Sequence, residues 1–217
     1  MGGLYAITDT VLIPDQQLPA AMEQAIQGGA RLLQYRDKSS DATRRLQQAK
    51  ILHALCQRYG IPLLINDDVE LAAQVGAAGV HLGKEDPAFA MARSRLGESA
   101  IIGVSCYNQL ELALKAAREG ADYVAFGSFF PSPTKPDTVR ATTDLLRRAK
   151  QVLSLSIVAI GGITPTNGRP LVAAGADYLA VINGVFGQSD IRTAARSYSL
   201  LYEELSLLKN ASEFCPR

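Results

Sequence analysis

Eight short apolar runs recur along the 217-residue chain, and each is followed by a longer amphipathic stretch. The runs are Leu4–Thr8, Leu32–Lys38, Leu63–Asp67, Val80–Gly83, Ile101–Cys106, Tyr123–Ser128, Ile157–Gly161 and Tyr178–Ile182. They are rich in β-branched and aromatic residues and bounded by Gly, Pro or Asp, which predicts strands. The stretches Gln17–Gln27, Thr43–Tyr59, Val69–Val75, Pro87–Leu96, Leu110–Glu119, Thr143–Leu153, Pro165–Ala173 and Ile191–Leu208 read as helices. Asp41 is placed to cap the second, and Thr164 with Pro165 supplies an N-cap and a first helical residue for the seventh. Strands that alternate with helices build a parallel sheet with helical crossovers. An open doubly wound sheet competes with a closed barrel. The count of eight, and a length at the small end for that fold, favour an α/β chain folded as a (β/α)8 TIM barrel. The barrel is expected as a single domain over residues 1–209, with residues 210–217 as a C-terminal tail.

A weak repeat supports this arrangement. Gly29-Ala30, Gly76-Ala77-Ala78-Gly79, Gly120-Ala121-Asp122-Tyr123 and Gly175-Ala176-Asp177-Tyr178 precede alternate strands. Each first glycine is placed to end a helix in the left-handed conformation. Pro131–Pro136 has the composition of a linker, but neither half of the chain has enough units to close a sheet alone. It reads as a long loop of one domain.

The composition narrows the function. Lys and Arg total 22 against 21 Asp and Glu, a net charge of +1. That balance argues against general nucleic-acid or membrane-surface binding, which needs a basic field. No apolar stretch approaches the roughly 18 residues of a membrane span. No charged leader precedes Leu4–Ile7, which predicts no signal peptide. Cys56, Cys106 and Cys215 are odd in number and widely spaced, which reads as reduced thiols of a cytoplasmic protein. With only His53 and His81, a His-rich metal site is excluded.

Polar residues gather where the predicted strands end, the rim at which barrels of this kind place their sites. Gln34, Arg36 and Lys38 share one face of the second strand by its period of two. An amide and two cations on that face are satisfied best if it points inward, toward an anion or a solvated cavity. Asp67, after Asn66, and Asp86 lie at the mouths of neighbouring strands. Two such carboxylates make an incomplete shell for Mg²⁺, which keeps waters and takes phosphate oxygens. Helix capping by Asp67 or Asp68, and an ordinary helix start at Asp86-Pro87, account for the same residues. Ser105 ends the fifth strand, and alternation turns either it or Cys106 inward. Gly161-Gly162 before the helix at Pro165, with Asn183-Gly184 after the eighth strand, offers backbone N–H groups to a phosphate. Tight turns alone would also use these glycines. His81 reads as a hydrogen-bonded strand residue without a catalytic role, and Lys135 as an exposed loop lysine. No Walker or dinucleotide fingerprint is present.

Taken together, these positions resemble the thiamine-phosphate synthase (thiamine-phosphate pyrophosphorylase) family. The resemblance rests on Tyr5-Ala6-Ile7-Thr8-Asp9, Gln34-x-Arg36-x-Lys38, Asn66-Asp67, Gly79–Gly83 with Asp86, Gly103-Val104-Ser105 and Phe126-Gly127. It continues through Ser132-Pro133-Thr134-Lys135, Ala159–Ile163 and Ala180-Val181-Ile182. It implies a barrel that joins two small phosphorylated heterocycles. One is 4-amino-2-methyl-5-(diphosphooxymethyl)pyrimidine, and the other is hydroxyethylthiazole phosphate or its carboxylated form. The products are thiamine phosphate and pyrophosphate. By matching positions, Gln34, Arg36, Lys38, Asn66, Ser105 and Lys135 would hold the pyrimidine diphosphate, with Arg36, Lys38, Ser105 and Lys135 serving catalysis. Asp67 and Asp86 would bind Mg²⁺, and Ser132, Thr134, Gly162, Ile182 and Asn183 the thiazole phosphate. The family usually carries Ser where this chain has Asn183. A diphosphate, one Mg²⁺, two Asp and three cations sum to about zero charge, as a poorly hydrated site requires. A thiazole tautomerase-like relative and a non-catalytic phosphate-binding barrel are the alternatives. The sequence leaves a homo-oligomer open.

Overall fold

The computed structural model describes residues 2–83, 89–131 and 140–213, with side chains through residue 207. Strands β1 (Gly3–Ile7), β2 (Ala30–Tyr35), β3 (Leu63–Asn66), β4 (Gly79–Leu82), β5 (Ile101–Tyr107), β6 (Tyr123–Phe126), β7 (Ser156–Ile160) and β8 (Tyr178–Val181) close in sequence order into one barrel. β1 completes the ring by pairing with β8, Tyr5 opposite Ala180. Outside lie α1 (Leu18–Gln27), α2 (Ala42–Tyr59), α3 (Val69–Val75), α4 (Phe89–Leu96), α5 (Leu110–Glu119), α6 (Thr143–Val152) and α7 (Pro165–Ala173). The short α8 (Asn183–Phe186) follows β8, and the long α9 (Ile191–Glu213) ends the described chain. The expected domain limit at residue 209 falls inside α9. A single turn such as α8 is too short to show a helical period, so the sequence pattern passes over it. No helix among the described residues is long and apolar enough to cross a membrane.

The period of two sorts each strand between two cores. Tyr5, Ile7, Leu32, Leu64, Tyr123, Ala125, Val158 and Ala180 point into the barrel. Leu4, Leu33, Tyr35, Ile65, Cys106, Phe126, Ile157 and Leu179 point outward and pack with buried helix residues such as Met22, Leu52 and Leu146. The inward reading of the second strand therefore holds at Gln34. Asp41 caps α2 by accepting from the Arg44 N–H at 2.9 Å, and Thr164 caps α7 in a reciprocal pair with Asn167. Asp68 caps α3, so capping does not occupy Asp67.

The repeat pins the lower rim of the barrel. Asp122 and Asp177 each accept from the N–H of the second residue of a neighbouring strand, Ile102 and Ile157, at 2.8 Å. Their own N–H groups donate to the carbonyls of the same two residues. A cation from the preceding helix closes each cluster, Arg93 on Asp122 and Lys150 on Asp177. The four repeat glycines all have positive φ, with Gly76 and Gly120 as the C-caps themselves and Gly29 and Gly175 one residue beyond.

β2 stops at Tyr35, earlier than its sequence suggests, because side chains take over from the ladder. Arg36 donates its N–H to Thr8 Oγ1 at 2.8 Å, and Thr8 Oγ1 donates to the Arg36 carbonyl at 3.4 Å. Asp37 then turns the chain by accepting from the Ser39 N–H at 2.7 Å. Its fully buried carboxylate also takes Arg44 of α2 at 2.9 Å, beside Tyr35 and Gln48. Arg36 and Lys38 thus reach the rim from a pinned loop, not from a continuing strand face. Burial pushes the Asp37 carboxyl up, but the Ser39 and Arg44 hydrogen bonds outweigh it and hold the group below the usual carboxylate value.

A carboxyl whose folded-state pKa is depressed stabilises the fold above its unfolded-state value, and that stability is lost as pH falls through the folded value. Asp37→Ala is therefore expected to cost about 2 kcal/mol at neutral pH. Urea denaturation should show that deficit narrowing in acid; a deficit independent of pH would contradict the charge-based account. Asp177→Ala should cost about 1–2 kcal/mol in the same measurement and leave turnover unchanged, since it acts at the opposite rim.

Candidate active site

All eight strands point their C-terminal ends to one rim, and the side chains described there form two groups. The first lies over β1 to β6. Gln34 is 2% exposed and donates through Nε2 to the Tyr5 hydroxyl at 2.5 Å. Arg36 reaches Asp9 at 3.7 Å, while Asp9 also accepts from the Val11 N–H at 2.9 Å. Lys38 forms a close ion pair with the Asp67 carboxylate. Asn66 Nδ2 donates to the same oxygen at 2.6 Å. Asp67 holds its backbone at φ 60, in the left-handed region. For a residue with a Cβ that conformation costs on the order of 1 kcal/mol, and the hydrogen bond from its N–H to the His81 carbonyl at 2.9 Å maintains it. A cleft of about 240 Å³ opens here, lined by Asp37, Lys38, Ser39, Arg45, Asn66, Asp67 and Asp68. Arg45 is tied to Asp68 at 2.7 Å, yet its buried Nε has no hydrogen-bond partner among the described residues.

Beneath the cleft runs a polar chain that sequence reasoning missed. Tyr5 and Tyr123 join hydroxyl to hydroxyl at 3.0 Å, Tyr123 meets His81 Nδ1 at 2.8 Å, and His81 Nε2 meets Ser105 Oγ at 2.9 Å. The imidazole also stacks on the Tyr123 ring, 5.6 Å between centroids. Ser105 is therefore the inward member of its pair, and Cys106 is buried in the outer core, where desolvation pushes its thiol up to about 12. Burial lowers His81 to about 4, against the opposing pull of the Asp67 charge, so the ring is neutral at neutral pH. Burial raises both Tyr5 and Tyr123, which remain protonated. The signal available in the sequence is Gly103. A Cβ there would fall 1.9 Å from the Tyr123 ring, so only glycine lets that ring lie across β5.

The second group lies over β7 and β8. Gly162 has φ 62, and a Cβ on it would fall 2.5 Å from the Pro131 carbonyl oxygen, so both backbone and space require glycine. Asn167 Nδ2 donates to the Gly162 carbonyl at 3.1 Å, fixing the turn at the start of α7. Ile182 is half-buried and packs on the inner core, and Asn183 is exposed at the start of α8. The Asn183 side-chain oxygen folds against Gly187, where a Cβ would fall 1.8 Å from it. Of the residues expected at the site, Asp86, Ser132, Thr134 and Lys135 lie outside the described residues.

Comparison with known proteins gives one answer. A family model described as thiamine monophosphate synthase matches residues 4–185. The chain is 53% identical over 207 residues to the thiamine-phosphate synthase of Nitrosococcus oceani, covering 95% of both chains. It is 53% identical over 213 residues to that of Marinobacter nauticus, covering 97% of this chain and 96% of the relative. Among solved structures, thiamine phosphate pyrophosphorylase from Pyrococcus furiosus superposes with a TM-score of 0.84 at 35% identity, over 94% of this chain and 96% of that one. Orotidine 5'-phosphate decarboxylase from Pyrococcus horikoshii shares the barrel alone, with a TM-score of 0.64 at 15% identity. On the match over residues 4–185 and the 53% identity to these relatives, the chain belongs to the thiamine monophosphate synthase family.

Proposed function

We propose that this chain is a transferase that joins 4-amino-2-methyl-5-(diphosphooxymethyl)pyrimidine to hydroxyethylthiazole phosphate or its carboxylated form, releasing pyrophosphate and thiamine phosphate. The observation that carries the reading is the placing of Arg36, Lys38, Asn66 and Asp67 at the rim, above Gln34 and Ser105 in the barrel interior. No nucleophile–base pair is needed. Diphosphate leaves a benzylic-type carbon whose cation the aminopyrimidine stabilises, and the thiazole nitrogen attacks that carbon. The protein must position two rings and stabilise the departing charge.

Arg36, Lys38 and Lys135 supply positive charge to the leaving group, and Ser105 and Asn66 supply neutral donors. Gln34, inside the barrel, faces the pyrimidine. Gly162 and the Ile182-Asn183 turn, with Ser132 and Thr134, take the thiazole phosphate, and the folded-back Asn183 side chain makes backbone the donor there. The donor chemistry suits Mg²⁺. Asp67 offers a hard carboxylate oxygen that lines the cleft, and Asp86 would be the second ligand. When bound, Mg²⁺ supplies charge neutralisation to the diphosphate. Bringing that anion in would also give Lys38 an alternative to Asp67, freeing the carboxylate for the metal. The assigned reaction uses residues of one chain and small phosphorylated substrates, and the buried thiols Cys56 and Cys106 suit a reducing, cytoplasmic setting.

Incubation with both heterocycles and Mg²⁺ should yield thiamine phosphate and an equal amount of pyrophosphate. Isomerisation of the thiazole without coupling, or binding without pyrophosphate release, would contradict the reading. Asp67→Ala and Asp86→Ala should each weaken Mg²⁺-dependent turnover, and an unchanged Mg²⁺ titration in both would remove the metal assignment. Lys135→Ala should slow the chemical step about 10²-fold in single-turnover measurements, because its contact strengthens as diphosphate leaves; normal single-turnover chemistry would remove that role.

A further inference from the structure

The interior polar chain has a direction that follows from counting protons. Gln34 Nε2 donates to the Tyr5 hydroxyl. Tyr5 is 1% exposed, and its one other hydrogen-bond partner among the described residues is the Tyr123 hydroxyl. A buried donor left without an acceptor is costly, so the Tyr5 proton points to Tyr123. Tyr123 is 3% exposed and already accepts from Tyr5, so its own proton goes to His81 Nδ1. That assignment leaves Nδ1 bare and puts the ring proton on Nε2, which donates to Ser105 Oγ. In the opposite direction, Gln34 and Tyr123 would both donate to Tyr5, and the Tyr5 proton would be stranded in the barrel.

We propose that Gln34, Tyr5, Tyr123 and His81 form a one-way hydrogen-bond relay that commits the Ser105 hydroxyl to donate toward the mouth, onto the diphosphate-bearing substrate. Ser105 accepts from His81 and has no other hydrogen-bond partner among the described residues, so its proton is available to a ligand oxygen. Tyr123 is the positioning residue, because it joins the two halves of the relay and stacks against the imidazole. The relay gives Ser105 a fixed donor sense before substrate arrives, which favours a developing anion over a group that must itself donate. This proposal rests on the reading that Ser105 touches the pyrimidine diphosphate.

The test separates the two ideas. With only two histidines in the chain, a long-range ¹H–¹⁵N correlation spectrum of the wild-type protein, assigned with His53→Gln, reads the His81 tautomer directly. The expected result is the Nε2–H form in the protein without substrate. An Nδ1–H form would overturn the relay. Tyr123→Phe, which removes the donor to Nδ1, should shift His81 toward the Nδ1–H form. It should also lower kcat about tenfold with little change in KM for the pyrimidine diphosphate. If Ser105→Ala slows turnover while Tyr123→Phe does not, the relay has no catalytic consequence and the proposal fails. If the tautomer is as expected and neither substitution alters kcat, it is the contact between Ser105 and substrate that fails.

Discussion

The grip of Thr8 and Asp37 on the end of β2 is the constraint on which the site depends. Strand hydrogen bonding stops at Tyr35, and the exchange between Thr8 and the Arg36 backbone replaces it. The buried Asp37 carboxylate then anchors the loop to Ser39 and to Arg44 of α2. Between these two fixings stands Arg36, and immediately after them Lys38. Two cations can therefore face an anion at the rim while the charge that orders their backbone is spent on the outer side, against the helix. Had Asp37 faced inward, it would have opposed a diphosphate. The alternation that sends Gln34 and Leu32 inward sends Tyr35 outward to support Asp37.

The barrel divides its polar groups by level. At the lower rim, Asp122 and Asp177 bind strand N–H groups and helix cations, and their charge is consumed by structure. In the interior, Gln34, Tyr5, Tyr123, His81 and Ser105 satisfy one another as neutral groups, which avoids the cost of a buried charge. At the upper rim, Arg36 pairs with Asp9 and Lys38 with Asp67, all of them partly exposed.

Much of this was legible from residue order. The eightfold alternation gives the barrel, and the period of two at Leu32–Tyr35 gives the inward amide. The helix caps at Asp41 and Thr164 follow from local chemistry alone. The tyrosine–histidine chain was not legible, because its members lie on β1, β4, β5 and β6 and meet only after the ring closes; Tyr5 and Tyr123 are 118 residues apart. Gly103 hinted at it, since a mid-strand glycine marks a close approach, but the partner ring is a tertiary fact. The choice between Asp67 and Asp68 was equally local in sequence and was settled by geometry, with Asp68 on the helix and Asp67 on Lys38.

The central claim is that the rim between β2 and β3 is built for a diphosphate accompanied by a divalent cation. Calorimetric titration of pyrophosphate into the wild-type protein, with and without Mg²⁺, and into Arg36→Ala tests it without requiring turnover. The account predicts one binding site per chain, tightened by Mg²⁺ and weakened at least about tenfold by the substitution. Equal affinity with and without Mg²⁺, unchanged in Arg36→Ala, would contradict it.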